Sequence, residues 1–320
     1  MPLPDPATGQ TGPPAQRHAL LSIPASRLLM SKHRYLQLDV FAATPGGGNP
    51  LGVVLNAGEL SATQMQQLAA WLNLSETVFF LPVSAAGADY HIRIFTPRSE
   101  LPFAGHPSVG AAWAAATHGL VPYRADGLLY QQCAAGVLPV EVFDRHGALQ
   151  VRLRTPRARA LSVSATHAPL LDAASAGLRN AGAPPALWSN GPNWWLLELA
   201  DAAAVRSAQP DLAAIARLSE ASDAVGLAIY AAGDEAADLV VRAFCPADGI
   251  AEDPVTGSAN ACIGARLHEE GRLPGAASRY LASQGREVGR DGHVWVEVDA
   301  KGEVWIGGAT QPVIAGHLDW

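Results

Sequence analysis

Cations are in the minority in this chain of 320 residues: 22 Lys and Arg stand against 29 Asp and Glu, with no local Lys/Arg cluster. A net charge of -7 offers no general attraction to nucleic acid or anionic lipid, so neither is expected as a partner. Cysteine is also scarce. Cys133, Cys245 and Cys262 are an odd number without a CxxC spacing, which argues against a disulfide framework and a zinc site and fits a reducing cytoplasm. The histidines are scattered, with no HxH or HxxxH pair, so no metal is expected. No apolar run approaches the ~18 residues of a membrane-spanning helix. GxSxG, P-loop and GxGxxG signatures are missing, and with them serine-hydrolase and nucleotide-binding readings. A globular chain with 49% apolar and 16% charged residues remains, long enough for two domains and suited to a small-molecule partner.

Residues 1–33 are rich in Pro, Ala and Ser and carry no acid between Asp5 and Asp39. They are expected to be a disordered extension, with Met30 as an alternative start. From Tyr35 onward short alternating or apolar runs such as "YLQLDVF", "LGVVL", "ETVFFL" and "DLVVRAFC" predict strands. "SATQMQQLAAWLN" predicts a helix, with Ser61 and Gln64 in capping-box spacing and Met65, Leu68, Ala69 and Leu72 on one face. "DLAAIARLS", from Asp211, is its counterpart.

That pairing belongs to a longer repeat. "RIFTPRSELPFAGHPSVGAAW" from Arg93 and "RAFCPADGIAEDPVTGSANACIGARL" from Arg242 share RxFxP, acidic residues, a Gly-led turn and a small-residue helix. The offset is 147 residues at Glu76/Asp223, 149 at Arg93/Arg242 and 152 at Gly105/Gly257, so one fold is repeated with a small insertion. The boundary falls near residues 150–160.

Each repeat places a glycine where a helix begins. Gly105 and Gly257 would let the backbone approach a ligand, Pro107 suits the first helical position, and Ser258 is placed to cap. Two helix starts aimed into one cleft would present unpaired N–H groups and positive dipole ends to a small carboxylate. A single such turn is equally well read as a strand-to-helix connection. Three ionisable residues lie nearby. Glu76, at the mouth of an apolar strand, reads as a general base with a raised pKa or as a solvated strand-edge glutamate. Asp253 lies five residues before Ser258 and reads as a partner of the helix end or as an Asx turn. His106 reads as a donor or proton shuttle, or as a locally bonded turn residue. "GGGN" at 46–49 reads as a turn before a strand.

Taken together, "LDVFAATPGGGNPLGVVL", "LSETVFF", "IRIFTPRSELPFAGHPSVGAAW" and "RAFCPADGIAEDPVTGSANACIGARL" resemble the phenazine-biosynthesis PhzF-like isomerases, relatives of diaminopimelate epimerase and proline racemase. The resemblance implies an α/β, diaminopimelate-epimerase-like fold of two pseudo-symmetric domains, each a curved, mainly antiparallel sheet around a central helix. The domains are expected at 34–152 and 153–308, with a tail at 309–320, final strands returning to the first domain, and a homodimer. It implies a cofactor-independent isomerase with Glu76 as general acid/base, His106 and Asp253 in support, and Gly105, Gly257 and Ser258 binding a small carboxylate. The paired thiols of the epimerase relatives have no counterpart at these turns. The alternatives are an epimerase or racemase of a small amino or hydroxy acid, and a binding protein that keeps the cleft without turnover.

Overall fold

In the computed structural model, which describes residues 32–122, 124, 126–145, 147–181 and 183–320, the repeat in sequence is a repeat in pairing. The first half contains β1 (Lys32–Val40), β2 (Asn49–Leu55), α1 (Ala62–Leu72), β3 (Glu76–Leu81), β4 (Tyr90–Phe95), β5 (Glu100–Leu101), α2 (Gly105–Thr117), β6 (Leu128–Cys133), β7 (Gly136–Arg145) and β8 (Ala148–Arg154). The second contains β9 (Arg159–Ala160), α3 (Ala168–Ser175), β10 (Ala186–Ser189), β11 (Asn193–Glu198), α4 (Ala202–Ser207), α5 (Leu212–Ser222), β12 (Gly226–Asp234), β13 (Ala237–Cys245), β14 (Ile250–Asp253), α6 (Gly257–Glu269), β15 (Arg279–Gln284), β16 (Gly292–Val298) and β17 (Val304–Asp319). β2 and β3 pair in parallel, β3 and β4 antiparallel, β4 and β5 antiparallel, β4 and β6 in parallel. β11, β12, β13, β14 and β15 repeat that series in the same order and orientation. The result is a mixed α/β, strand-rich fold in which one hydrogen-bonded sheet runs through both halves.

The repeated helices divide by what surrounds them. α1 and α5 bury one face, Met65, Leu68 and Ala69 in the first and Ala214, Ile215 and Leu218 in the second. Both are capped by a side chain at the start and end on a left-handed residue, Asn73 and Asp223. α2 and α6 are buried nearly all round and belong to one core shared by both halves. Their Ala and Gly content follows from that enclosure: a Cβ on Gly110 would stand 2.4 Å from a Leu51 methyl. All three cysteines are free and buried, and burial pushes the thiols of Cys245 and Cys262 upward.

The expected ends of the fold shift. Residues 1–31 lie outside the described residues, but Lys32 and His33, expected in the extension, open β1, and His33 is buried. The residues expected as a tail are strand: β17 runs unbroken to Asp319, pairing with β16 and β8 near its start and with β1 over Thr310–Asp319. Among the described residues no helix is long and apolar enough to cross a membrane.

The RxFxP boxes are structural. Arg93 forks onto Glu100 at 2.7 and 2.6 Å, and Arg242 onto Glu252 at 2.9 and 2.7 Å, tying each strand to the short strand after it. Each guanidinium also lies over the phenylalanine two residues on. The copies differ in burial: Arg242 and Glu252 are each 7% exposed, Arg93 and Glu100 26% and 36%. Arg242→Ala, which strands a buried carboxylate, is expected to cost about 3–5 kcal/mol in chemical denaturation. Arg93→Ala should cost about 1 kcal/mol or less; equal losses would contradict this account.

Candidate active site

Glu76 is the first residue of β3, delivered there by the left-handed turn at Asn73 that ends α1. It pairs with Leu51 of β2, so the carboxyl leaves the sheet where the apolar strand interior begins. His106 sits in the first turn of α2, and its Nε2 faces Glu76 Oε2 at 3.3 Å. Neither atom has a hydrogen-bond partner, although His106 is only 5% and Glu76 17% exposed. Burial, and after it the charge of Asp253, holds the Glu76 carboxyl well above the usual carboxylate range. Burial lowers His106 to about 3, so its imidazole is neutral at physiological pH and the contact is not an ion pair.

Asp253 ends β14 in the second half. Its Oδ2 accepts from Thr256 Oγ1 at 2.6 Å and its Oδ1 from Asn49 Nδ2 at 2.9 Å. Burial raises its pKa, the bonds from Thr256 and Asn49 oppose the rise, and Glu252 adds to it, leaving the group at about 6. Sequence spacing had left Glu76, His106 and Asp253 unconnected. The fold brings the first two into contact and the third within electrostatic reach.

The two helix starts meet. A Cβ placed on Gly105 would lie 3.5 Å from Gly257 Cα and 2.9 Å from Ile306 Cδ1, and one on Gly257 would lie 2.7 Å from the same methyl. Ser61, Asp201 and Asp211 cap α1, α4 and α5 with their side chains, whereas the N-cap residues of α2 and α6, Ala104 and Thr256, make no side-chain cap, as is also true of α3. The first-turn N–H groups of Gly105, His106, Gly257 and Ser258 therefore have no intrahelical acceptor. Two expectations are corrected. Pro107 occupies the third helical position, tolerated because that amide would be unpaired in any case, and Ser258 is the second residue of α6 and not its cap. The Ser258 hydroxyl accepts from Trp194 Nε1 at 3.0 Å, which leaves its own proton to donate.

Sequence reasoning overlooked Asn49, Thr256, Gln284 and Trp194. Asn49 and Thr256 lie within the motifs "GGGN" and "EDPVTGS"; Gln284, which donates to Asp253 O and Thr256 Oγ1, carries no signal in the sequence. Among the described residues no three His, Cys, Asp or Glu side chains gather as a metal cluster.

A carboxyl whose pKa is raised by folding binds its proton more tightly when folded. Its penalty is absent below the ordinary carboxylate range and complete above the raised value. Glu76→Gln is thus expected to raise Tm at pH 8 by roughly 3 °C or more, with little change at pH 4. A lowered Tm at pH 8, read by calorimetry, would contradict the burial argument.

Comparison with known proteins identifies the family and the fold. The family model described as "Phenazine biosynthesis-like protein" matches residues 38–316. An uncharacterized isomerase of Deinococcus radiodurans is 37% identical over 276 residues, covering 84% of this chain and 88% of its own. The trans-2,3-dihydro-3-hydroxyanthranilate isomerase of Pseudomonas chlororaphis is 31% identical over 271 residues, covering 85% of this chain and 92% of its own. The crystal structure of the Bacillus anthracis phenazine biosynthesis protein, PhzF family, has the same fold, with a TM-score of 0.77 at 24% identity over 90% of this chain and 99% of that one. With the family model spanning most of the fold, the chain belongs to the phenazine biosynthesis-like, or PhzF-like, family of isomerases.

Proposed function

We propose that this isomerase moves a proton between two carbons of a small carboxylated substrate, a 1,3-type shift, with Glu76 as the single general acid/base. The observation that carries the reading is the unpaired, buried Glu76 oxygen facing neutral His106 beside two uncapped helix starts. The first-turn N–H groups of α2 and α6, with the Ser258 hydroxyl, would hold the substrate carboxylate. Ionised Glu76 takes a proton from one carbon, the electron pair shifts along the adjacent double bond, and protonated Glu76 returns the proton to the third carbon. Atoms and charge balance without another reactant, so no cofactor is invoked. A raised Glu76 pKa matches the carboxyl to both halves of that task. His106 faces the proton on Glu76, and Asp253 orients the substrate or relays the proton. An epimerase would need a second base on the opposite face; Asp253 has both oxygens engaged by donors, which favours the one-base reading.

A reducing cytoplasm fits three free, buried thiols. A homodimer is supported by the far edge of β17 beyond Thr310, which no strand among the described residues pairs and where Val313 and Ile314 are 46% and 48% exposed. Identical edges pair antiparallel about a twofold axis. Ile314→Lys should then lower the sedimentation mass from two chains to one, and a single-chain mass for the unmodified protein would remove the dimer.

The reaction is tested with trans-2,3-dihydro-3-hydroxyanthranilate, the acid in the name of the Pseudomonas chlororaphis relative, in deuterated water. Glu76→Gln is expected to reduce both turnover and deuterium incorporation by roughly 10²–10⁴-fold. Undiminished exchange removes Glu76 from the role. Binding of small acids without turnover by the unmodified protein would make it a binding protein, and a stereoisomeric product would make it an epimerase.

A further inference from the structure

We infer that Asn49 is a positioning residue that carries Asp253, across the boundary between the two halves, to its place beside Glu76. The inference rests on the proposed reaction at Glu76. Asn49 is the first residue of β2 and is fully buried. Its Nδ2 donates to Asp253 Oδ1 at 2.9 Å and to Val255 O at 3.0 Å, joining positions 204 and 206 residues apart. Both partners are acceptors, so they fix which end of the amide carries the nitrogen.

The other donors around Asp253 belong to its own half. Thr256 donates to Oδ2, and Gln284 donates to Asp253 O and Thr256 Oγ1 while accepting from Thr256 N at 3.0 Å. Among the described residues Asn49 is therefore the first-half side chain that donates to this carboxylate. Two further features suit that task. Asn49 Oδ1 is buried without a partner, a destabilising arrangement in a core, so the amide is present for its N–H side. The preceding Gly48 has φ +59°, and a Cβ there would stand 2.2 Å from Val40 O, so only glycine lets the turn set Asn49 down at this point. A Cβ on Gly292 would meet both Val255, at 2.2 Å, and Gly48 Cα, at 3.4 Å, showing how closely the "GGGN" turn packs on the second half. The signal was legible as a turn, but its partner lies in the other repeat.

The charged and titratable groups around Asp253 are Glu76 on β3, Glu252 on β14, itself held by Arg242, and Cys245 on β13. Asn49 supplies one of two hydrogen bonds that favour the ionised form among them. The test is a carboxyl-carbon NMR titration of Asp253 in the substrate-free protein, using Asn49→Ala and the uncharged, size-matched Asn49→Leu, which removes the donor without adding a charge and carries the test if the first variant fails to fold. The midpoint, expected at about 6 in the unmodified protein, should rise by about half a unit or more in either variant. An unmoved midpoint overturns the inference.

Turnover supplies a second arm. Asn49→Ala is expected to lose roughly 10- to 100-fold in kcat. The double variant Asn49→Ala/Asp253→Asn should be no slower than Asp253→Asn alone, because Asn49 acts through Asp253. Additive losses would assign Asn49 a merely structural role and overturn the inference. If the unmodified protein turns over no acid, the reaction proposal fails while the titration still decides whether Asn49 governs Asp253.

Discussion

Two helix starts share one place in this protein, and the rest of the structure is arranged so that they can. Gly105 and Gly257 meet across the two halves with Ile306 against both, at separations that leave no room for a side chain. For that approach α2 and α6 must lie inside the sheet, and for enclosure on all sides they must be built from Gly, Ala and other small residues. β17 provides Ile306 and also joins the halves, pairing with β16 and β8 before it continues along β1. Approach of the helix ends, small-residue helices and a shared last strand are one constraint expressed three times.

Electrostatics follow from the same enclosure. A carboxyl and an imidazole in contact would ordinarily form an ion pair, but here burial moves both toward neutrality: Glu76 upward and His106 down to about 3. Asp253, the third member, is raised by burial only to about 6, because Thr256 and Asn49 donate to it, and so stays ionised at neutral pH. The chain thus keeps two carboxyls with separated affinities for a proton beside a neutral imidazole. Such a set is unfavourable for stability and suited to proton transfer. Caps show the same economy of purpose. Peripheral α1, α4 and α5 receive a side-chain cap from Ser61, Asp201 and Asp211, while the two central helices, like α3, receive none.

Much of this was legible because it is local or repeated. The capping box at Ser61 and Gln64, the counterpart helix at Asp211, and the Gly-led turns at 105 and 257 are short-range patterns, and duplication made them stand out from composition. The RxFxP boxes are visible as a repeat, but the Arg–Glu forks that explain them join residues seven and ten apart, a spacing that no single element's periodicity marks. What sequence did not disclose depends on distance through the fold. The Asn49–Asp253 bond spans 204 residues, and Trp194 on β11 reaches Ser258 on α6 across 64. Nor could composition place the first strand, since the basic, Ser-containing run expected as extension over residues 1–33 ends in Lys32 and His33, which open β1 and pair with β17. Proline at position 107 misled in a smaller way, its residue type suiting any place in a first turn.

The central claim is that one carboxyl, Glu76, both removes and returns the proton. The most direct measurement uses substrate deuterated at the carbon that loses its proton, with the product analysed for the face on which hydrogen arrives at the third carbon. One base predicts arrival on the face from which the deuterium left, with part of the label carried across. Arrival on the opposite face, with hydrogen drawn wholly from solvent, would require a second acid and contradict the account.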